Sequence, residues 1–176
     1  LMNLMDDLLD LSSIESTQVL QRENIDTQEM TKKVLKQLAA RFEARKQNVK
    51  QNIQCRSVYA DAVRVEQVLI NLLDNACKYT PDGGSLSIDW IQEAQDVLLV
   101  ISDTGPGIPA EHQARLFERF YRVDKARSRE QGGTGLGLSI VKHILQRHEG
   151  SVTVKSKPGE GATFTCRFPM VQNPVQ

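Results

Sequence analysis

Net charge is the first thing this chain of 176 residues lacks: its 22 lysines and arginines balance 22 aspartates and glutamates. With no basic excess and only 5% aromatic residues, it has neither the field that holds a polyanion nor the platforms on which bases stack, so nucleic acid is excluded as a main partner. Cysteine is scarce and odd in number. Cys55, Cys77 and Cys166 show none of the close spacing of metal sites or disulfide frameworks and read as buried thiols of a reducing compartment. No apolar run approaches the roughly 20 residues that cross a bilayer, and no signal peptide is recognisable, so the piece reads as soluble, with room for membrane spans upstream in a longer parent. The length suits one domain with a substantial core, or one domain with a short appendage.

The chain begins with Leu1, Leu4, Met5, Leu8 and Leu9 at helical spacing and no cap ahead of them, which predicts the tail of a longer helix. A second helix is predicted from Asp26 as N-cap, Glu29 three residues on, and Met30, Val34, Leu38 and Phe42 every fourth residue. Val49, Ile53 and Val58 mark short strands. A third helix is predicted over 62–79, with Val65, Leu69, Leu72 and Ala76 as its apolar stripe and Pro81-Asp82-Gly83-Gly84 as its stop. Leu86, Ile88 and Trp90 alternate with polar residues, and Val97 to Ile101 is apolar throughout, which predicts an antiparallel hairpin. Between Gly105 and Gly133 only one short helical patch is visible, too long a connection to be idle. A last helix is predicted over about 135–148, followed by a hairpin of Val152/Val154 against Phe164/Cys166/Phe168. Hairpins interspersed with helices predict an α+β chain: one mixed, mainly antiparallel sheet with its helices on one face, a two-layer sandwich.

Four stretches carry candidate chemistry. Asn71, Asn75 and Lys78 form a polar line opposite the apolar stripe of the third helix. Asparagines are mediocre helix formers, so the line suits carbonyl oxygens offered to a hard cation beside a phosphate-binding lysine, or else a solvated face. Asp103-Thr104-Gly105-Pro106-Gly107-Ile108 follows an apolar strand. Its carboxylate is suited to accept from an exocyclic amine such as that of adenine, or the stretch is simply a Gly-Pro-Gly turn. Gly132-Gly133-Thr134-Gly135-Leu136-Gly137-Leu138 leads into a helix, so that free N–H groups face an anion such as triphosphate, or it is a hinge. In Phe117-Glu118-Arg119-Phe120-Tyr121-Arg122, the i, i+3 phenylalanines suit core anchoring. The arginines, with Arg127 and Arg129 beyond, suit a γ-phosphate or solvent.

In this order the four stretches resemble the N, G1, F and G2 boxes of sensor histidine kinases, and the run FERFYRVDKARSREQGGTGLGL is similar to the lid of the membrane-sensor branch that includes phosphate-starvation sensors. The resemblance implies the Bergerat-type two-layer α/β sandwich shared with Hsp90, gyrase and mismatch-repair ATPases. It implies that Asn75, helped by Asn71, binds Mg²⁺, that Lys78 contacts phosphate, that Tyr79 lies beside the adenine and that Asp103 accepts from its amine. Gly105, Gly107 and Ile108 would line the base pocket, with Thr163 near the adenine from the final hairpin. Gly133, Gly135 and Gly137 would let the lid fold over the triphosphate, with Tyr121, Thr134, Leu136 and Leu138 in the same ATP-contacting set. Arg122 would reach the γ-phosphate and act in catalysis with Lys78 and Asn75. Asn71 stands where the gyrase-like and chaperone-like relatives carry a water-activating glutamate.

The family's acceptor-histidine motif is absent from these residues, and His112, His143 and His148 read as surface or helix-end residues. The expected layout is therefore 1–16 as the end of a dimerisation helix, 17–170 as the catalytic ATP-binding domain and 171–176 as a tail. The implied activity is transfer of the ATP γ-phosphoryl to a histidine on a separate phosphoacceptor domain, with no self-phosphorylation of this piece. The implied setting is a cytoplasmic monomeric domain of a homodimeric parent that signals to a response regulator, compatible with an inner-membrane anchor. Two alternatives share the fold: a degenerate nucleotide-binding module and an anti-sigma-type serine kinase.

Overall fold

The computed structural model describes residues 19–123 and 133–170, together with Met5. Apart from Met5, the predicted N-terminal helix tail lies outside the described residues, as do the 171–176 tail, Gly132, Arg127 and Arg129. The elements run β1 (Arg22–Asp26), α1 (Thr27–Ala44), β2 (Asn48–Ile53), β3 (Ser57–Asp61), α2 (Ala62–Tyr79), β4 (Ser85–Glu93), β5 (Asp96–Asp103), α3 (Ala110–Gln113), α4 (Gly137–Arg147), β6 (Ser151–Ser156) and β7 (Ala162–Pro169).

Helix α1 starts where its cap predicts: Asp26 Oδ1 accepts from the N–H groups of Gln28 and Glu29 at 2.9 and 3.0 Å. The Glu29 N–H foremost holds the Asp26 carboxyl below its ordinary range. Val34, Leu38 and Phe42 are buried as the four-residue spacing requires, and Thr31 joins them by accepting from the Trp90 indole N–H at 2.9 Å. Helix α2 is capped by Asp61, whose Oδ1 accepts from Arg64 N–H at 3.2 Å. It stops at Thr80 in extended backbone, the conformation that a following proline imposes.

Five strands form a sheet in the order β2-β4-β5-β7-β6, in which β2 and β4 are parallel and every other pair is antiparallel. Alternation sends Leu86, Ile88 and Trp90 of β4, Val97, Leu99 and Ile101 of β5, and Phe164, Cys166 and Phe168 of β7 to the covered face. Helices α1, α2 and α4 bury their apolar stripes against it, giving the two-layer α+β sandwich. One expectation is corrected: the strands do not make a single sheet. β1 and β3 pair antiparallel in a separate two-stranded ribbon, with Ile25 opposite Val58 and both buried, and β1 was not foreseen. All three cysteines are free and buried.

Three ends converge on one side of this frame: the last turns of α2, the end of β5 and the first turn of α4. The loop between β6 and β7 packs tightly on the segment after β5. There Gly159 N–H donates to Pro106 O at 2.7 Å, and a Cβ on Gly107, which has φ +74°, would lie 1.9 Å from Lys157 O.

Candidate active site

Between those ends lies a cleft of about 850 Å³, within the range of small-ligand sites. Its floor is set by strand periodicity. Asp103 is the last residue of β5 and continues the inward series of Val97, Leu99 and Ile101, so its carboxyl enters the cleft from the core side. Burial pushes the Asp103 carboxyl above its ordinary range, against the opposing pull of hydrogen bonds from Gly105 N–H and Ala162 N–H. Those bonds, at 2.8 and 3.3 Å, both fall on Oδ1, leaving Oδ2 as an acceptor for a ligand. Gly107 and Ile108 line the cleft beside it, and Ile108 N–H is fixed by Ser156 Oγ at 2.8 Å.

The wall is α2. Asn71, Asn75, Lys78 and Tyr79 all line the cleft from its last two turns. Asn71 Oδ1 lies opposite Gly137, where a Cβ would come within 3.6 Å, and Asn71 Nδ2 is buried with no partner among the described residues. Lys78 Nζ lies 2.6 Å from Asp74 Oδ2, and Arg41 of α1 bonds Asp74 Oδ1. Arg45 fastens the helix end, donating to Cys77 O at 2.7 Å and Lys78 O at 2.9 Å while its Nε meets Asp82.

The roof is the segment around Tyr121 and the turn into α4. Tyr121, Arg122, Gly133, Thr134, Gly135, Gly137 and Leu138 line the cleft. Two contacts close its neck: Phe120 N–H donates to Gly135 O at 2.9 Å, and the Arg122 guanidinium donates to Gly133 O. Tyr121 is held from two sides, its hydroxyl 2.6 Å from His112 Nδ1 and the Arg115 guanidinium 4.3 Å over its ring.

Three of the expected site residues do not line the cleft. Thr163 falls on the opposite face of β7, where its Oγ1 meets Ser102 Oγ at 2.9 Å; Ala162 and Phe164 take the inward positions. Leu136 is wholly buried in the core, and Gly105 acts through its N–H on Asp103 rather than by lining the cleft. Phe120 is corrected too. Phe117 does anchor the core, edge-on to Phe164, but Phe120 has φ +63° and is 58% exposed, so helical spacing does not persist that far. The unforeseen residues are Asp74, Arg41, Arg45 and His112. Of these only Asp74 stood inside a motif; its partner Lys78 is one helical turn on, and its partner Arg41 is 33 residues away.

No group of three or more His, Cys, Asp or Glu suited to a metal exists among the described residues. The donors present are instead two side-chain amides on one wall, each with one oxygen able to ligate a hard cation; the unpartnered buried Asn71 Nδ2 is an N–H donor and no ligand. That set suits Mg²⁺, which takes few protein oxygens and arrives with phosphate oxygens and water. The cleft's only carboxylates among the described residues are Asp74, paired to two cations, and Asp103 at the other end. Asp74 is the neighbour of Asn75 on that wall, but both its oxygens are engaged by cations, Oδ2 by Lys78 and Oδ1 by Arg41, which disfavours it as a base for water.

A floor carboxylate with one free oxygen, an amide-and-lysine wall and a helix N-terminus under a glycine-rich roof define a nucleotide-binding domain on a two-layer sandwich. The sequence profile of the histidine kinase-, DNA gyrase B- and HSP90-like ATPase family matches residues 60–172, and the chain belongs to that family as a sensor-histidine-kinase catalytic domain. It is 52% identical over 102 residues to the phosphate regulon sensor protein PhoR of Pseudomonas aeruginosa, a match spanning 58% of this chain and 23% of PhoR. Among solved structures it resembles the Acinetobacter baumannii histidine kinase AdeS with TM-score 0.81 and 33% identity, over 97% of this chain and 79% of the other. It also resembles full-length ShkA in complex with AMPPNP, with TM-score 0.83 and 25% identity over 98% and 37% of the two chains. The chain spans less than half the length of the curated relatives it matches. No helix among the described residues is long and apolar enough to cross a membrane.

Proposed function

We propose that residues 17–170 bind Mg-ATP in this cleft and deliver its γ-phosphoryl to a histidine on a separate dimerisation domain, residues 1–16 being the end of that domain's second helix and 171–176 a tail. The observation that carries the reading is the pair of amides, Asn71 and Asn75, lining the cleft, with the one carboxylate on their wall, Asp74, held on both oxygens by Lys78 and Arg41. A site that clamps a triphosphate without activating water keeps the phosphoryl group for another nucleophile. The AMPPNP held by ShkA supports the choice of ligand.

In this reading Asp103 Oδ2 accepts from the adenine amine, and Tyr79 and Ile108 flank the ring. Asn75 and Asn71 hold Mg²⁺, which when bound neutralises phosphate charge. Lys78 and Arg122 meet phosphate oxygens, and the N–H groups around Gly133, Thr134, Gly135, Gly137 and Leu138 face the same charge at the start of α4. The acceptor imidazole nitrogen forms a P–N bond as the bond from the γ-phosphorus to the β–γ bridging oxygen breaks. ADP leaves, and the imidazole surrenders its proton. A cytoplasmic location, a homodimeric and membrane-anchored parent, and onward transfer to a response regulator complete the proposal. The ThkA structure is one in complex with a response regulator, TrrA, and shares the fold.

Calorimetric titration of Mg-ATP into the chain tests the reading. One saturable site, weakened strongly by Asn75→Asp and accompanied by almost no phosphate release, is the expected result. Absence of binding by the folded wild type overturns it.

A further inference from the structure

Three charges meet at the open rim of the cleft, and the proposed chemistry uses only one of them. Lys78 Nζ is 2.6 Å from Asp74 Oδ2, one helical turn before it on α2. The other carboxylate oxygen, Asp74 Oδ1, accepts from Arg41 at the end of α1. Asp74 and Lys78 are largely covered, with side chains 22% and 31% exposed, so water screens their attraction incompletely. Arg41 is 60% exposed and comes from outside every sequence motif. A carboxylate in contact with the phosphate-binding ammonium competes with the phosphates for it and also repels them. A second cation on the far oxygen of that carboxylate weakens both effects.

We infer that Asp74 and Arg41 are positioning residues that set how available Lys78 is to the phosphate tail of the nucleotide. Asp74 restrains the ammonium and points it along the rim. Arg41 draws Asp74 toward α1 and loosens that hold. The inference rests on the nucleotide reading of the cleft and adds a control on affinity for the phosphates, separate from recognition of the base. Arg41 thus acts through Asp74 rather than by touching phosphate.

The test is calorimetry of Mg-ATP and of adenosine against the wild type, Asp74→Asn, Arg41→Gln, Arg41→Lys and the double variant Asp74→Asn/Arg41→Gln. At the strength of a partly exposed ion pair, Asp74→Asn should tighten ATP roughly two- to fivefold and Arg41→Gln should weaken it by a similar factor. Arg41→Lys should stay near wild type, and the double variant should match Asp74→Asn alone, because Arg41 has nothing to act on once the carboxylate is gone. Adenosine, which lacks phosphate, should bind all five proteins alike. The inference is overturned if Arg41→Gln weakens ATP equally in the Asp74→Asn background, which is direct contact or bare field, or if Asp74→Asn weakens ATP. It also falls if the adenosine affinities move with the ATP affinities. Failure of the folded wild type to bind either ligand overturns the nucleotide reading and this inference together.

Discussion

Replacing Asp103 with asparagine separates recognition from stability more cleanly than any other single change. Asp103 Oδ1 accepts from Gly105 N–H at 2.8 Å and Ala162 N–H at 3.3 Å, two bonds that the side-chain oxygen of the substituted asparagine can keep. The other atom changes from an acceptor to an NH₂ donor, so the group facing the ligand's amine now opposes it, donor to donor. Loss of one charge-assisted hydrogen bond in a partly buried site is worth about 1.5–3 kcal/mol, or roughly a ten- to hundredfold weaker ATP complex. Because burial already disfavours the Asp103 carboxylate, removing its charge should leave the melting temperature of the free protein unchanged or slightly raised. A purine triphosphate with an oxygen at the 6-position should lose less affinity than ATP, since the new NH₂ can donate to it. Calorimetry with the two nucleotides, alongside thermal melting, measures all three quantities. ATP affinity within twofold of wild type in a normally folded Asp103→Asn protein would refute the assignment of Asp103 to the base.

Three further outcomes follow from the same geometry. His148 is buried, with Nε2 accepting from Asp61 N–H at 3.1 Å and Nδ1 bonded to Ile144 O at 2.8 Å, and burial is the main cause of its lowered pKa. Its neutral form is the one the fold keeps, so its contribution to stability is complete above its unfolded pKa of about 6.5 and is lost as pH falls through the lower folded value. The raised carboxyl of Asp103 has the opposite sign of linkage, so the difference between wild type and His148→Gln in denaturant titrations from pH 7.5 to 5 isolates the histidine: wild type loses more stability on acidification. Gly107→Ala should cost well over the roughly 1–2 kcal/mol of a left-handed alanine, because its Cβ would meet Lys157 O at 1.9 Å; Gly159→Ala, at φ +83° with open space around it, should cost only that conformational amount by chemical denaturation. Tyr121→Phe removes the contact with His112 beside Arg122, so kcat for phosphoryl transfer should fall severalfold while adenosine affinity holds.

Much of this was legible in the chain because the signals are local. The caps and four-residue spacing of α1 and α2, and the alternation of β4, β5 and β7, are each set by residues within a turn or two of one another. The placement of Thr163 was legible as well: once Phe164, Cys166 and Phe168 point inward, period two turns Thr163 outward, and the family resemblance ran against the pattern at that residue. Strand β1 was not legible, since Arg-Glu-Asn-Ile-Asp has a single good strand former and owes its pairing to β3, more than thirty residues on. The same distance hid the pairing of Asp74 with Arg41, 33 residues away, and the docking of His148 on Asp61, 87 residues away. Phe120 misled because its spacing fits a helix, whereas α3 already ends at Gln113 and the chain reaches Phe120 through turns, at φ +63°.

That the cleft holds Mg-ATP and reserves its γ-phosphoryl for a histidine in another domain is tested by incubating the chain with γ-labelled ATP, alone and mixed with a histidine-containing acceptor domain from a sensor kinase such as PhoR. The expected result is no stable label and almost no released phosphate from the chain alone, and acid-labile, base-stable label on the acceptor when both are present. Rapid phosphate release without the acceptor, or label on the chain itself, would contradict it.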